Sequence, residues 1–272
     1  MSRKILSWTD EKRQLLSKMW FSSKKEELLR EFYPLNYHAI EVYANKRGLK
    51  RDSKRNGDLS PLLNDTPETY YWTGFIMADG NLNKNNHLIV QLSKKDKVHL
   101  EKLAEFLGTN CTPIGSDMYR VALMHKGKSS LFRDKFDLHY RKTYNPPSIE
   151  IFYKMPDYLF TSLIIGFIDG DGSILKNGSG IRIWNHFSWN TFHSYIRDFL
   201  YKKSNITKTG NEVKLVKNGK YSYVTFHRRQ MIQFLKLKTI ELNLPVLERK
   251  WNRIKIINNI RGYNEISKYS TN

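Results

Sequence analysis

One stretch occurs twice in this chain and limits the fold more than any other feature. The first copy runs Tyr71-Trp72-Thr73-Gly74-Phe75-Ile76-Met77-Ala78-Asp79-Gly80, and the second Leu163-Ile164-Ile165-Gly166-Phe167-Ile168-Asp169-Gly170-Asp171-Gly172. Each passes through apolar residues and a mid-run Gly to Gly-Phe-Ile, then closes on Asp-Gly. The closing aspartates stand 92 positions apart. A repeat on this scale points to two copies of one structural unit.

Each copy reads as a helix ending at its Asp-Gly. Gly80 and Gly172 suit a helix end because glycine accepts the left-handed conformation. Inside each helix two small residues sit four apart, Gly74 with Ala78 and Gly166 with Gly170, and so share a face. An internal Gly costs about 1 kcal/mol against Ala. Close packing of two helix backbones is a reason to tolerate that cost. If the copies pack there, Asp79 and Asp171 converge at the base of the pair.

Two neighbouring carboxylates resist joint ionisation unless a cation holds them. Mg²⁺ prefers oxygen ligands and shares them with substrate phosphates. Helix C-termini add partial negative charge. Paired acids at a phosphodiester suit metal-assisted hydrolysis, with Mg²⁺ as the expected ion and Mn²⁺ or Ca²⁺ able to take the same site. A calcium loop at Asp169-Gly170-Asp171-Gly172-Ser173 fails at its twelfth position, Gly180, where a bidentate Glu is required. One Asp-Gly alone would be an ordinary solvated turn; two matched copies are not.

At these residues the chain resembles the LAGLIDADG homing endonucleases. The second copy fits the family's signature closely, and the first departs at Met77, where the motif often has an acid. The acid that holds metal in the family falls on Asp79 and Asp171. The resemblance spans roughly residues 67–257. It also implies a basic residue near the metal from the end of each repeat, which falls on Lys142 in Arg141-Lys142 and on Lys250 in Arg249-Lys250. An ammonium there would stabilise charge developing on phosphate; the plain alternative is a phosphate or surface contact.

Charge agrees with a polyanionic partner. The chain has 272 residues, 46 Lys plus Arg against 26 Asp plus Glu, and a net charge of +20. Nucleic acid is the first candidate and an anionic membrane the second. No apolar run reaches transmembrane length, and the N-terminus lacks a signal-peptide core. The single cysteine, Cys111, excludes an internal disulfide and a cysteine-based zinc site. An intracellular, cytoplasmic or organellar setting is the expectation.

Residues 1–55 read as three short helices. Ser7-Trp8-Thr9-Asp10 and Ser23-Lys24-Lys25-Glu26 look like capping boxes, and Asn36 caps the third helix. Ala39, Ile40, Tyr43 and Ala44 line one face of that helix; His38, Glu41, Asn45 and Lys46 line the other. The unit resembles Myb-like and related helix-turn-helix domains, which implies a major-groove reader using His38, Asn45 and Lys46, with Arg51 beyond it on phosphates or in a minor groove. A small packing appendage is the plainer reading. Residues 56–66 read as a linker, on Gly57, Pro61 and their polar neighbours.

Both repeats, residues 67–150 and 151–272, read helix, strands, helix, strands, helix. Strands are expected at His87–Ser93, Tyr119–Met124 and around Arg182–Trp184, with an Asn-Gly hairpin turn at Lys217-Asn218-Gly219-Lys220. Side chains alternate along a strand, so His87, Gln91, Arg120, Arg182 and Trp184 are candidates for a face free of helices. In the family, two such sheets form a saddle over a long DNA site, read in the major groove.

The fold class expected is therefore α+β: two pseudo-symmetric αββαββα-like repeats preceded by a small three-helix domain. The expected activity is site-specific, metal-dependent cleavage of double-stranded DNA by a monomer, from an intron-encoded or free-standing gene. The rivals are a cleavage-inactive DNA-binding regulator, opposed by the retention of both acids, and an RNA maturase acting on an intron, opposed by the added helix-turn-helix.

Overall fold

A computed structural model describes residues 8–20, 23, 25–49, 57–85, 87–123, 126–206, 213–215 and 220–256. Arg51 and the Asn218-Gly219 turn lie outside the described residues. The chain divides into two units, Met1–Lys54 and Arg55–Asn272.

The first unit holds α1 (Asp10–Met19), α2 (Lys25–Glu31) and α3 (Tyr37–Lys46). Thr9 caps α1 by accepting from the Lys12 amide, and Asn36 caps α3 by accepting from the Ala39 amide at 2.8 Å. Leu16, Trp20, Leu28, Phe32, Ile40 and Ala44 form its core. Trp8 closes that core by stacking on Tyr43 at 3.7 Å between ring centroids. Gly48, at φ +75°, ends α3 in the left-handed region. His38, Asn45 and Lys46 are all exposed.

In the second unit α4 (Pro67–Asp79) leads into β1 (Gly80–Leu82) and β2 (Leu88–Ser93). Then follow α5 (Lys97–Phe106), β3 (Thr112–Ile114), β4 (Met118–Leu123), α6 (Lys126–Lys135) and the short α7 (Glu150–Tyr153). The second copy runs α8 (Asp157–Asp171), β5 (Gly172–Ile174), β6 (Ile181–His186), α9 (Asn190–Lys203), β7 (Val213–Leu215), β8 (Tyr221–Phe226), α10 (Arg229–Glu241) and α11 (Glu248–Trp251). Each copy builds a four-stranded antiparallel sheet in the same order, β1-β2-β4-β3 and β5-β6-β8-β7. The architecture is the expected pair of αββαββα repeats.

The motif helices form because their ends are well specified and their middles are apolar all round. Thr66 caps α4 and Pro67 occupies its first turn, where a missing N–H costs nothing. Every residue from Thr69 to Met77 is buried, as is every residue from Leu159 to Asp169. Such helices belong in the middle of a core. The sheets cover them with Leu88, Val90, Val121 and Leu123 on one side and Ile181, Ile183, Val224 and Phe226 on the other.

Two expectations need correction. Residues 57–66 are no tether but the base of the first repeat. Leu59 and Leu62 are wholly buried around a 3₁₀ turn at Ser60–Leu63, Pro61 O accepts from Thr69 Oγ1 at 2.7 Å, and the Asp58 amide donates to Leu107 O. The turn-forming Gly, Pro and Asp concealed an apolar pair. Secondly, Gly80 and Gly172 are extended, at φ −76° and −86°, not left-handed. Glycine is needed there because the chain leaves the helix directly into a strand. A Cβ would sit 2.6 Å from Ile76 O at Gly80 and 2.5 Å from Ile168 O at Gly172.

Candidate active site

The site exists because α4 and α8 cross backbone to backbone. A Cβ on Gly74 would lie 1.9 Å from Leu163 O, and one on Gly166 would lie 1.8 Å from Tyr71 O. These two contacts exchange under the 92-residue offset, so they express a pseudo-twofold axis between the helices. One turn further on, a Cβ on Gly170 would meet the Ala78 Cβ at 2.2 Å. The small-residue spacing thus does what it predicts, and the crossing delivers Asp79 and Asp171 side by side at the helix C-termini.

The two acids sense each other. The Asp79 carboxyl is pushed up to about 6, first by desolvation and then by the Asp171 charge, while Lys250 and Lys142 pull it back. Its side chain nevertheless keeps an open edge to solvent. Asp171 is also raised by burial, opposed by Lys142, by a hydrogen bond from Asn185 and by Lys250. The Asn185 Nδ2 donates to Asp171 Oδ2 at 2.5 Å. Asp79 accepts no side-chain hydrogen bond among the described residues.

Both predicted lysines come to this place, each at the end of one motif helix. Lys142, in the turn after α6, donates to Met77 O at 2.6 Å and Ala78 O at 2.5 Å. Lys250, on α11, reaches Ile168 O, Asp169 O, Gly170 O and Gly172 O at 2.6–3.3 Å. These are the orphan carbonyls of a helix C-terminus, where a cation is favoured. Burial lowers the pKa of both lysines, and the neighbouring carboxylates oppose that shift.

Several participants escaped the sequence reading. Asp169 is buried and accepts from Tyr71 Oη at 2.7 Å, Trp251 Nε1 at 2.8 Å and the Leu247 amide at 2.9 Å. Burial pushes its carboxyl up, and Lys250 with these three donors pulls it down. This knot ties α8 to α11 and so locates Lys250. Arg249 adds a bidentate pair to Asp96, at 2.5 and 2.7 Å, which joins α11 to the first repeat. The second acid in Asp169-Gly170-Asp171 was the available signal for the knot; the other partners arrive only through tertiary structure.

The donor set fits a hard divalent cation. Asp79 and Asp171 offer carboxylate oxygens, and among the described residues no group of three His, Cys, Asp or Glu forms a closed metal cage. Two carboxylates with the remaining positions left to water and phosphate is how Mg²⁺ is commonly held. Beside Asp171 a cavity is lined by Lys142, Thr143, Trp184, Asn185, His186 and Tyr221.

The residues expected on a helix-free sheet face are exposed or half-buried, four of them on strands. Gln91 and Arg120 are cross-strand partners and both are exposed. His87 stands just before β2 and is half-buried. Arg182 donates to Thr225 Oγ1 and lies over the Trp184 and Tyr223 rings on the outer face of the second sheet. Among the described residues no helix is long and apolar enough to cross a membrane.

No family model and no curated protein matches the sequence. Solved structures do. The meganuclease I-SmaMI bound to uncleavable DNA aligns at TM-score 0.45 and 15% identity over 71% of this chain and 90% of that one. I-SmaMI, there described as a LAGLIDADG homing endonuclease bound to cleaved DNA, aligns at 0.44 and 15% over 73% and 88%. The LAGLIDADG meganuclease I-AabMI bound to uncleaved DNA aligns at 0.46 and 12% over 69% and 87%. Values this low add nothing to the geometry above.

Proposed function

We propose that this protein is a site-specific endonuclease that hydrolyses phosphodiester bonds in double-stranded DNA with a divalent metal. The observation that carries the reading is the backbone-close crossing of α4 and α8, which sets two carboxylates beside two helix-capping lysines. A structural repeat needs the crossing but not a pair of repelling acids at its end.

Asp79 and Asp171 would hold the cation, Mg²⁺ in the first instance, which when bound neutralises charge at the scissile phosphate and favours attack by water. Lys142 and Lys250 keep positive charge beside the carboxylates and stabilise charge developing on the phosphate. The carbonyls they engage hold them against rotation. The outward faces of the two sheets, with His87, Gln91, Arg120, Arg182 and Trp184, contact the duplex on either side. In the N-terminal unit the exposed His38, Asn45 and Lys46 extend the contact, on the helix-turn-helix reading. One chain carries both repeats, so a monomer suffices. An intracellular, intron-encoded or free-standing enzyme remains the setting proposed.

The test is cleavage selection on a randomised double-stranded DNA library in Mg²⁺, with a chelator control. Discrete cuts at one motif, abolished by chelation, support the proposal. Tight sequence-specific binding with no cuts would overturn the enzyme and leave a DNA-binding regulator. Selective binding of structured RNA over duplex would favour the maturase.

A further inference from the structure

Asp171 is the end of a buried chain of hydrogen bonds that Asp79 lacks. A carboxylate only accepts, so Asn185 must present its Nδ2 to Asp171, and its Oδ1 then faces inward. His193 Nε2 stands 2.8 Å from that Oδ1 and must donate. The neutral ring therefore accepts at Nδ1, where Ser222 Oγ lies at 3.3 Å and donates. His193 and Ser222 are each wholly buried. Every donor in the series has one acceptor, and the amide of Asn185 has one allowed orientation.

The first repeat carries no Asn or Ser at the matching places. Asn185 pairs with Ser222 across β6 and β8; the matching pair across β2 and β4 is Leu92 with Tyr119. Leu92 packs against the core and offers Asp79 nothing.

We propose that His193 is a positioning residue which, through Asn185, fixes Asp171 as the pre-organised half of the site, so that the two strands are cut in a set order. The inference rests on the nuclease reading. Asp171 enters catalysis already oriented, whereas Asp79 acquires its orientation when metal and DNA arrive. Supporting groups of this kind typically change metal affinity or rate by about 10–100-fold.

The test uses the full chain and three variants: His193→Leu removes the donor, His193→Gln keeps an N–H near Nε2, and Ser222→Ala removes only the last link. The readouts are Tb³⁺ luminescence titration without DNA, the ratio of the two nicked intermediates on the selected target, and the imidazole ¹⁵N shifts. The expected results are a single Nε2–H tautomer in the wild type, about 10-fold weaker Tb³⁺ binding in His193→Leu with loss of strand order, and values within about 2-fold of wild type in His193→Gln. Should His193→Leu fail to fold, Ser222→Ala decides, through a shifted Nδ1 ¹⁵N resonance with the Nε2–H tautomer kept and a measurable fall in strand bias. A wild type that binds Tb³⁺ and cuts both strands equally, or variants that leave affinity and strand order unchanged, overturns the inference alone. A wild type that neither binds Tb³⁺ nor cuts any DNA overturns the nuclease reading and this inference with it.

Discussion

The two repeats share a topology to the level of strand order, yet they hold their ends of the site differently. In the second, Lys250 is 6% exposed, four carbonyls surround it, and the Asp169 knot and the Arg249–Asp96 pair anchor the helix that carries it. In the first, Met77 stands where Asp169 stands in the second. Lys142 is half-buried on a turn, and the neighbouring Thr143 O accepts only a neutral hydrogen bond, from Ser188 at 2.7 Å. Ser188 and Asp96 each lie in the 3₁₀ turn that follows the second strand of a repeat, Phe187–Trp189 and Lys94–Asp96. The helix crossing demands symmetry because two backbones must touch. The periphery does not, and it has drifted.

The crossing should break symmetrically. Gly74→Ala and Gly166→Ala each force a Cβ onto a backbone carbonyl of the other helix, so each should cost at least about 3 kcal/mol by urea denaturation. A large inequality between them would show that the helices are not equivalent partners. The lysines should break unequally. Lys250→Met strands several buried carbonyls and should cost about 3 kcal/mol, whereas Lys142→Met should cost about 1 kcal/mol. Equal costs would erase the distinction drawn between the two ends.

The smallest effect is a matter of pH. The folded pKa of Asp79, about 6, lies above its ordinary 3.8. The raised value favours the protonated form, so the stability contributed is fully present below about pH 4 and is lost as pH rises through about 6. Metal-free Asp79→Asn should therefore melt above the wild type at pH 7–8 and converge with it below pH 4. Because the side chain is open to solvent, screening holds the gain below about 1 kcal/mol. Added Mg²⁺ should raise the wild-type melting point and leave that of the variant nearly unchanged.

Much of this was legible in the chain. Two glycines four residues from small partners announced the crossing, and the position of the Asp-Gly pairs announced where the acids would meet. The alternation around Gln91 and Arg120 gave the outward face. What the sequence concealed is what several elements build together. Asn185, His193 and Ser222 come from a strand, a helix and another strand, and each alone reads as an ordinary polar residue. Asp96 meets Arg249 across 153 positions. Leu59 and Leu62 were hidden by neighbouring turn residues, and the role of Gly80 depends on a clash visible only once the helix runs straight into its strand.

The most direct test of the central claim scores each strand of the selected DNA target separately, with wild type, Asp79→Asn and Asp171→Asn in Mg²⁺. The account predicts that wild type cuts both strands and that each variant loses at least about 100-fold in double-strand cleavage while still binding the site. Cleavage that survives both substitutions at near wild-type rate would contradict it, and the paired carboxylates would then be no more than the base of a helix crossing.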